Sequence, residues 1–279
     1  MFKIIRKQML TPNICKMQIE APLIAEAALP GQFLIVKTGE LGERVPLTIS
    51  DYDKENGTVT IVTQSIGAST RMINSLEEGQ ALDNVVGPLG TASEFIAWDE
   101  ERLRGEKFVF LAGGVGTAPV YPQAKWLHEH GAQVDVIIGA RTADLLIYTE
   151  EIEAVCDKLY LCTDDGSVGF HGVVTGQLEA VAAERGYTRV VAIGPMIMMK
   201  FATLSARKLG LPVTVSLNTL MVDGTGMCGA CRVSVGGQMK FACVDGPEFD
   251  GYEVDFDEAM RRQRQYTEEE KAALERYGK

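Results

Sequence analysis

The chain has 279 residues, 46% of them hydrophobic and 23% charged, with 27 basic side chains against 38 acidic ones and a net charge of −11. That length suggests about two domains at ~150 residues each, and the composition excludes a disordered, collagenous or coiled-coil chain. The acidic excess argues against a protein that holds nucleic acid by counterion release or docks on anionic lipid.

Taken in chain order, residues 1–98 read as short strands, FKIIRKQML, ICKMQIEA, QFLIVKT, VPLTIS and GTVTIVTQ, separated by the turn signals LPGQ, ELGE and KENG. Regular short strands of this kind predict a closed antiparallel β-barrel. One short helix is expected within it, about Ser69 to Leu76, capped by Ser69 or Thr70. The opening MFKIIRKQML carries charge like a leader but no apolar run follows. The longest uncharged stretch, between Phe108 and Lys125, is broken by glycines and prolines and does not read as a membrane span. The expectation is a cytoplasmic protein.

The pattern changes after WDEERLRGEK. Over 99–217 the strands KFVFLAGG, QVDVIIGA, KLYLCTDD, RVVAIGP and PVTVSLN alternate with the helices APVYPQAKWLHEHG, LLIYTEEIEAVC, VVTGQLEAVAAERG and PMIMMKFATLSARKLG. Alternation of this kind predicts βαβ units and a parallel sheet covered on both faces. Residues 218–255 form a Gly- and Cys-rich segment, and 256–279 a charged, partly helical tail.

Cys15, Cys156 and Cys162 are scattered among apolar residues and read as small core side chains. Cys228, Cys231 and Cys243 are clustered. With Asp223 they give the spacing D-x4-C-x2-C-x11-C, close to the C-x4-C-x2-C of plant-type [2Fe–2S] sites with Asp in the first position. A carboxylate carries the charge of a thiolate and can take that place. Zinc is the competing reading, but no His lies in this segment. An Asp in a glycine-rich turn can also serve only to form the turn.

The second motif is LAGGVGTAP, with Gly113, Gly114, Gly116, Thr117 and Pro119, between a strand and a helix. Its backbone N–H groups suit a pyrophosphate. Three further strand ends, at Arg141, at Asp164 and Asp165, and at Gly194 and Met196, support a ligand at the carboxyl edge of the sheet. The third motif is RVPLTIS followed by QSIGASTRMINSL. Pro46, Leu47, Thr48 and Ile49 offer a flat edge to a ring system, Arg44 a phosphate partner, and Gly67, Ala68, Ser69 and Thr70 a second helix N-terminus.

This order of motifs resembles the ferredoxin–NADP reductase superfamily, in the branch of dihydroorotate dehydrogenase electron-transfer subunits. Asp223 in place of Cys, GPEFDG after Cys243 and the tail VDFDEAMRRQRQY bring it closer to the small subunits of NADH-dependent reduced ferredoxin:NADP⁺ oxidoreductases. The resemblance implies FAD on the barrel, NAD(H) on the α/β domain and a [2Fe–2S] cluster held by the C-terminal loop. It also implies a heterodimer with a larger flavin and iron–sulfur subunit, through which ferredoxin is served, and electron bifurcation belonging chiefly to that partner. Carried over, Arg44, Pro46 to Ile49, Val62 and Thr63 would line the flavin and Gly67 to Thr70 hold its pyrophosphate. Gly113 to Pro119, Arg141, Asp164, Asp165 and Met196 would surround the nicotinamide nucleotide, and the tail would reach onto the partner. A dihydroorotate dehydrogenase partner subunit and a zinc-stabilised nucleotide-binding module without redox role are the alternatives.

Overall fold

The computed structural model describes residues 2–40 and 42–277. The first sheet is built from β1 (Phe2–Thr11), β2 (Ile14–Glu20), β3 (Phe33–Lys37), β4 (Val45–Asp53), β5 (Thr58–Gln64), β6 (Ala81–Leu82) and β7 (Asn84–Leu89). Its order is β6-β1-β2-β5-β4-β3-β7, with every pairing antiparallel. The two end strands are separated only by Asp83, so the chain itself brings the sheet's edges together into a barrel. Alternation sets what lies inside. Met17 faces Ile61 and Ile19 faces Val59 across β2 and β5, and all four are buried with Cys15, Leu34 and Val36. Two helices interrupt the strands, not one. Helix α1 (Pro22–Ala27) opens on a proline, and α2 (Ala68–Ser75) starts at Gly67. Thr70 closes α2 from within its first turn, its Oγ1 accepting from the N–H groups of Ile66 and Gly67.

The second sheet follows α3 (Glu100–Gly105). It comprises β8 (Lys107–Gly113), β9 (Gln133–Ala140), β10 (Lys158–Thr163), β11 (Phe170–His171), β12 (Arg189–Ile193) and β13 (Val213–Ser216). These are connected by α4 (Thr117–Glu129), α5 (Thr149–Glu153), α6 (Val174–Arg185) and α7 (Met196–Leu209). The strand order β11-β10-β9-β8-β12-β13 is parallel throughout. Strands β8, β9 and β12 are buried along most of their length, as the unbroken apolar runs require. Helix α5 is shorter than LLIYTEEIEAVC suggests. Ile147 and Tyr148 are buried, and Tyr148 takes φ of 60°, which ends the preceding segment before the helix begins.

The C-terminal segment is less separate than its composition implies. After the hairpin β14 (Arg232–Val235) and β15 (Gln238–Phe241), strand β16 (Glu248–Asp250) joins the parallel sheet antiparallel to β13. The tail also folds onto its own chain. Helix α8 (Phe256–Gln263) packs on α7 and β14, and α9 (Thr267–Tyr277) lies against α2. The charged face expected to reach a partner is thus partly spent on intramolecular contacts, with Phe256 and Ala259 buried.

Candidate functional site

The loop from Val222 to Cys231 sits on the barrel. A side chain at Gly224 would place its Cβ 2.6 Å from Ile35 Cδ1 and 2.9 Å from Leu89 Cδ1, so only glycine lets the loop approach β3 and β7 this closely. Arg44, just before β4, fastens the same loop. Its Nε donates to the Val222 carbonyl at 2.7 Å and its Nη2 to the Asp223 carbonyl at 3.1 Å. The guanidinium proposed from sequence as a phosphate partner is therefore engaged with the Cys-rich loop.

Within that loop, Cys231 and Cys243 are buried with their sulfurs 3.2 Å apart. Cys228 is exposed. Hydrogen bonds from the backbone N–H groups of Ala230, Asp223 and Val222 hold its thiol below the usual range. Burial pushes the Cys243 thiol up to about 12, with Cys231 beside it acting in the same direction and the Gly226 N–H opposing. The Asp223 carboxyl is held low by the Thr225 hydroxyl and N–H, the latter at 2.9 Å, and receives the Met227 N–H at 3.3 Å. Among the described residues no three or more His, Cys, Asp or Glu side chains converge on one metal position. Three neighbouring thiols, two of them, Cys228 and Cys243, dressed by backbone N–H groups, do fit an anionic iron–sulfur cluster, because those donors stabilise negative sulfur. Asp223 shares the loop but bonds its own backbone.

Above this loop runs the half-buried edge of β4. Pro46, Leu47 and Thr48 are partly exposed, while Ile49 and Ser50 are buried. Val62 is buried in the core cluster of the second sheet rather than in that of the barrel. The Thr63 hydroxyl is buried without a hydrogen-bond partner. A partly exposed apolar strand with an unmet hydroxyl on the neighbouring strand β5 fits a flavin ring system. At α2, Ser69 is occupied by Glu43, donating to Oε2 at 3.0 Å and accepting from the Glu43 N–H at 3.2 Å. Gly67 leaves open space where a side chain would stand.

At the carboxyl edge of the parallel sheet lies a cleft of about 460 Å³. It opens between β8 and β12, where the strand order reverses, the position at which open α/β sheets take ligands. The structure gathers Gly113, Gly114, Gly116, Gly194 and Met196 along it. Gly116 is required there, since a Cβ would lie 2.4 Å from the Ile193 carbonyl oxygen. Thr117 is buried and donates its hydroxyl to the Gly114 carbonyl at 2.9 Å, pinning the turn, and Pro119 is buried in α4. Arg141, Asp164 and Asp165 stand outside the cleft, after β9 and β10. Asp165 is turned onto Ser167, whose hydroxyl and N–H hold its carboxyl low. Sequence reasoning missed Gln64, Asn218, Met260, Gln263 and Arg264, which complete the cleft. The one signal for the last two was the run RRQRQ directly after an amphipathic turn of helix.

Comparison with known proteins adds to this geometry. The model of the iron–sulfur cluster binding domain of dihydroorotate dehydrogenase B matches residues 218–255. An uncharacterized protein from the adh 3′ region of Clostridium beijerinckii is 57% identical over 99% of this chain and 94% of its own. The dihydroorotate dehydrogenase B (NAD(+)) electron transfer subunit homolog of Thermotoga maritima is 46% identical over 99% of this chain and 95% of its own. A solved structure of the NADH-dependent reduced ferredoxin–NADP oxidoreductase, described for flavin-based electron bifurcation, superposes with a TM-score of 0.93 at 44% identity. It covers 100% of this chain and 98% of that one. A ferredoxin NADP⁺ reductase of Neisseria gonorrhoeae with bound FAD and NADP, 17% identical with a TM-score of 0.59 over 75% of this chain and 90% of its own, shares the fold alone.

Proposed function

The chain belongs to the family of dihydroorotate dehydrogenase B electron-transfer subunits and their homologues, and from that membership we propose that it is the electron-transfer subunit of a ferredoxin:NADP⁺ oxidoreductase of the bifurcating type. It works between NAD(H), FAD and a [2Fe–2S] cluster and delivers electrons to a larger oxidoreductase subunit in a heterodimer. The observation that carries the reading is the seating of the Cys-rich loop on the barrel. Arg44 and Gly224 join the strand edge suited to a flavin to the loop suited to a cluster.

Bound together, flavin and cluster supply hydride exchange with NAD(H) on one side and single-electron transfer on the other. The chain's own residues position and insulate. Pro46 to Ile49 orient a ring, with Val62 and Thr63 beneath, and the N-terminus of α2 from Gly67 to Thr70 receives a pyrophosphate. Gly113, Gly114 and Gly116 turn backbone N–H groups and the N-terminus of α4 toward the phosphates of the nicotinamide nucleotide. Pro119, Arg141, Asp164 and Asp165 belong to the periphery of that edge in this reading. Cys228, Cys231 and Cys243 hold iron, and Asp223 serves as the fourth ligand by rotating its carboxylate off Thr225. Among the described residues that line the cleft there is no carboxylate, His or Lys, and in this reading the cofactors carry the chemistry.

The relationship to the ferredoxin–NADP oxidoreductase structure over the full chain favours this complex over a dihydroorotate dehydrogenase, and the iron–sulfur domain match over 218–255 favours iron over zinc. No helix among the described residues is long and apolar enough to cross a membrane, and all six cysteines are unpaired. Cytoplasmic residence is part of the same proposal. The test is an anaerobic NADH titration of the purified chain. Bleaching of flavin absorbance followed by the electron paramagnetic resonance signal of a reduced [2Fe–2S] cluster is expected; an unreactive flavin would overturn it.

A further inference from the structure

The cleft at the sheet edge has a wall that the parallel sheet does not supply. Met260, Gln263 and Arg264, at the end of α8, close the side facing the Gly113–Gly116 turn and the start of α7. The helix is held rigidly enough to serve as a wall. Phe256 and Ala259 are buried, and Lys200 pairs with Asp257 at 2.7 Å. Arg262 donates to the Ala230 carbonyl at 3.1 Å, and Gln263 donates from Nε2 to the Asn218 carbonyl at 2.7 Å and to its Oδ1 at 3.1 Å.

Arg264 is the exception in this set. Among the described residues its side chain makes no ion pair or hydrogen bond, although it lines the cleft and the protein carries a net charge of −11. Complementing the helix dipole does not account for it, because Arg261 and Arg262 already occupy the last turn. Across the cleft lie the glycine turn and the N-terminus of α4, a second source of positive potential. Two positive elements flanking a cleft of this size suit a diphosphate, and a guanidinium matches phosphate oxygens in a bidentate pair.

We propose that Arg264 is a substrate-binding residue, contributed by the tail, that grips the pyrophosphate of NAD(H) against the Gly113–Gly116 turn. This rests on the reading of the cleft as the nicotinamide-nucleotide site. The tail thereby completes the site within one chain, and Arg262 and Gln263 fix the helix so that Arg264 is presented in register.

The test uses the heterodimer loaded with flavin and iron, with ADP-ribose as probe because it carries the pyrophosphate and lacks nicotinamide. Arg264→Ala is expected to weaken ADP-ribose as a competitor of NADH, and to raise KM for NADH, by a common factor of about tenfold or more, as losing a charge-assisted hydrogen bond does. kcat should change little, and the salt dependence of binding should become shallower. Arg264→Lys should recover part of the loss. Arg261→Ala removes the same charge from the same helix and should stay within about twofold of wild type. Flavin and iron contents equal to wild type establish that each variant is folded. An Arg264→Ala protein that binds ADP-ribose like wild type overturns the assignment, as does an equal loss in Arg261→Ala. A wild-type complex that neither binds ADP-ribose nor oxidises NADH would instead overturn the reading of the cleft.

Discussion

Two glycine-rich loops in this molecule use backbone N–H groups in the same way and reach different ends. The turn at Gly113–Gly116 leads into a helix of 13 residues, carries no ionisable side chain, and is closed by Thr117 alone. The loop from Val222 to Cys231 leads into no helix, and its N–H groups from Val222, Asp223, Gly226 and Ala230 are directed at sulfur atoms of the protein itself. The first therefore offers donors to an anion that can come and go. The second offers them to thiolates tethered in place. On the proposed reading, an exchangeable nucleotide site and a resident cluster site would differ in where the negative charge is attached.

That contrast can be broken most severely at the buried thiols. Cys231→Ser or Cys243→Ser should abolish iron and sulfide binding while leaving flavin stoichiometry intact, measured by metal and sulfide analysis beside the flavin absorbance. Asp223→Ala should lower iron content to a lesser degree. It removes either a ligand or the acceptor of the Thr225 and Met227 N–H groups. Asp223→Cys separates the two roles, since a thiolate keeps iron but caps the turn poorly. Retained iron in that variant with loss in Asp223→Ala marks a ligand, and unchanged iron in Asp223→Ala excludes one.

On the other loop the same logic predicts a selective effect. Gly116→Ala places a methyl group 2.4 Å from the Ile193 carbonyl oxygen, so the turn must open. Affinity for NADH should fall by on the order of tenfold, about 1.4 kcal/mol, with flavin and iron contents unchanged. Loss of iron in this variant would contradict the independence of the two loops.

The last predicted effect lies where the two regions meet, and it bears on stability rather than on cofactor or nucleotide binding. Glu248, on β16 just beyond the Cys-rich loop, accepts from Ser93 Oγ at 3.0 Å and from Gln123 Nε2 of α4 at 2.9 Å. The residue keeps some exposed surface, but its carboxyl is enclosed. Burial pushes its pKa from 4.5 up to about 7, opposed by the two hydrogen bonds and aided by nearby Glu94. The folded protein thus holds a proton that the unfolded chain releases between pH 4.5 and 7, and this contribution to stability is present at low pH and lost as pH rises through about 7. Its size is at most about 3–4 kcal/mol, from that gap at about 1.4 kcal/mol per pH unit. Glu248→Gln should flatten the fall in Tm between pH 5 and 8, read by thermal denaturation. A wild-type Tm that rises across this range relative to the variant would contradict it.

Much of the architecture was legible because period and punctuation agree with it. The alternation in ICKMQIE places Met17 and Ile19 inside the barrel, and the unbroken run in KFVFLAGG marks a strand buried on both faces. The Cys-rich segment that the iron–sulfur domain model matches was legible through its spacing, and the glycines that line the cleft, Gly113, Gly116 and Gly194, through their place at strand ends. What escaped was long-range. Nothing local to EFD says that it will extend the parallel sheet beside β13, nothing in RVPLTIS says that Arg44 will bond carbonyls 178 and 179 residues away, and nothing in RRQRQ says which arginine faces a cleft. Those outcomes depend on how the elements pack.

The most direct measurement of the central claim is the visible spectrum of the protein purified without oxygen, with iron, zinc and acid-labile sulfide quantified on the same sample. Overlapping flavin and iron–sulfur absorption and close to two irons and two sulfides per chain are expected. A yellow protein without iron, or a colourless one containing zinc, would contradict it.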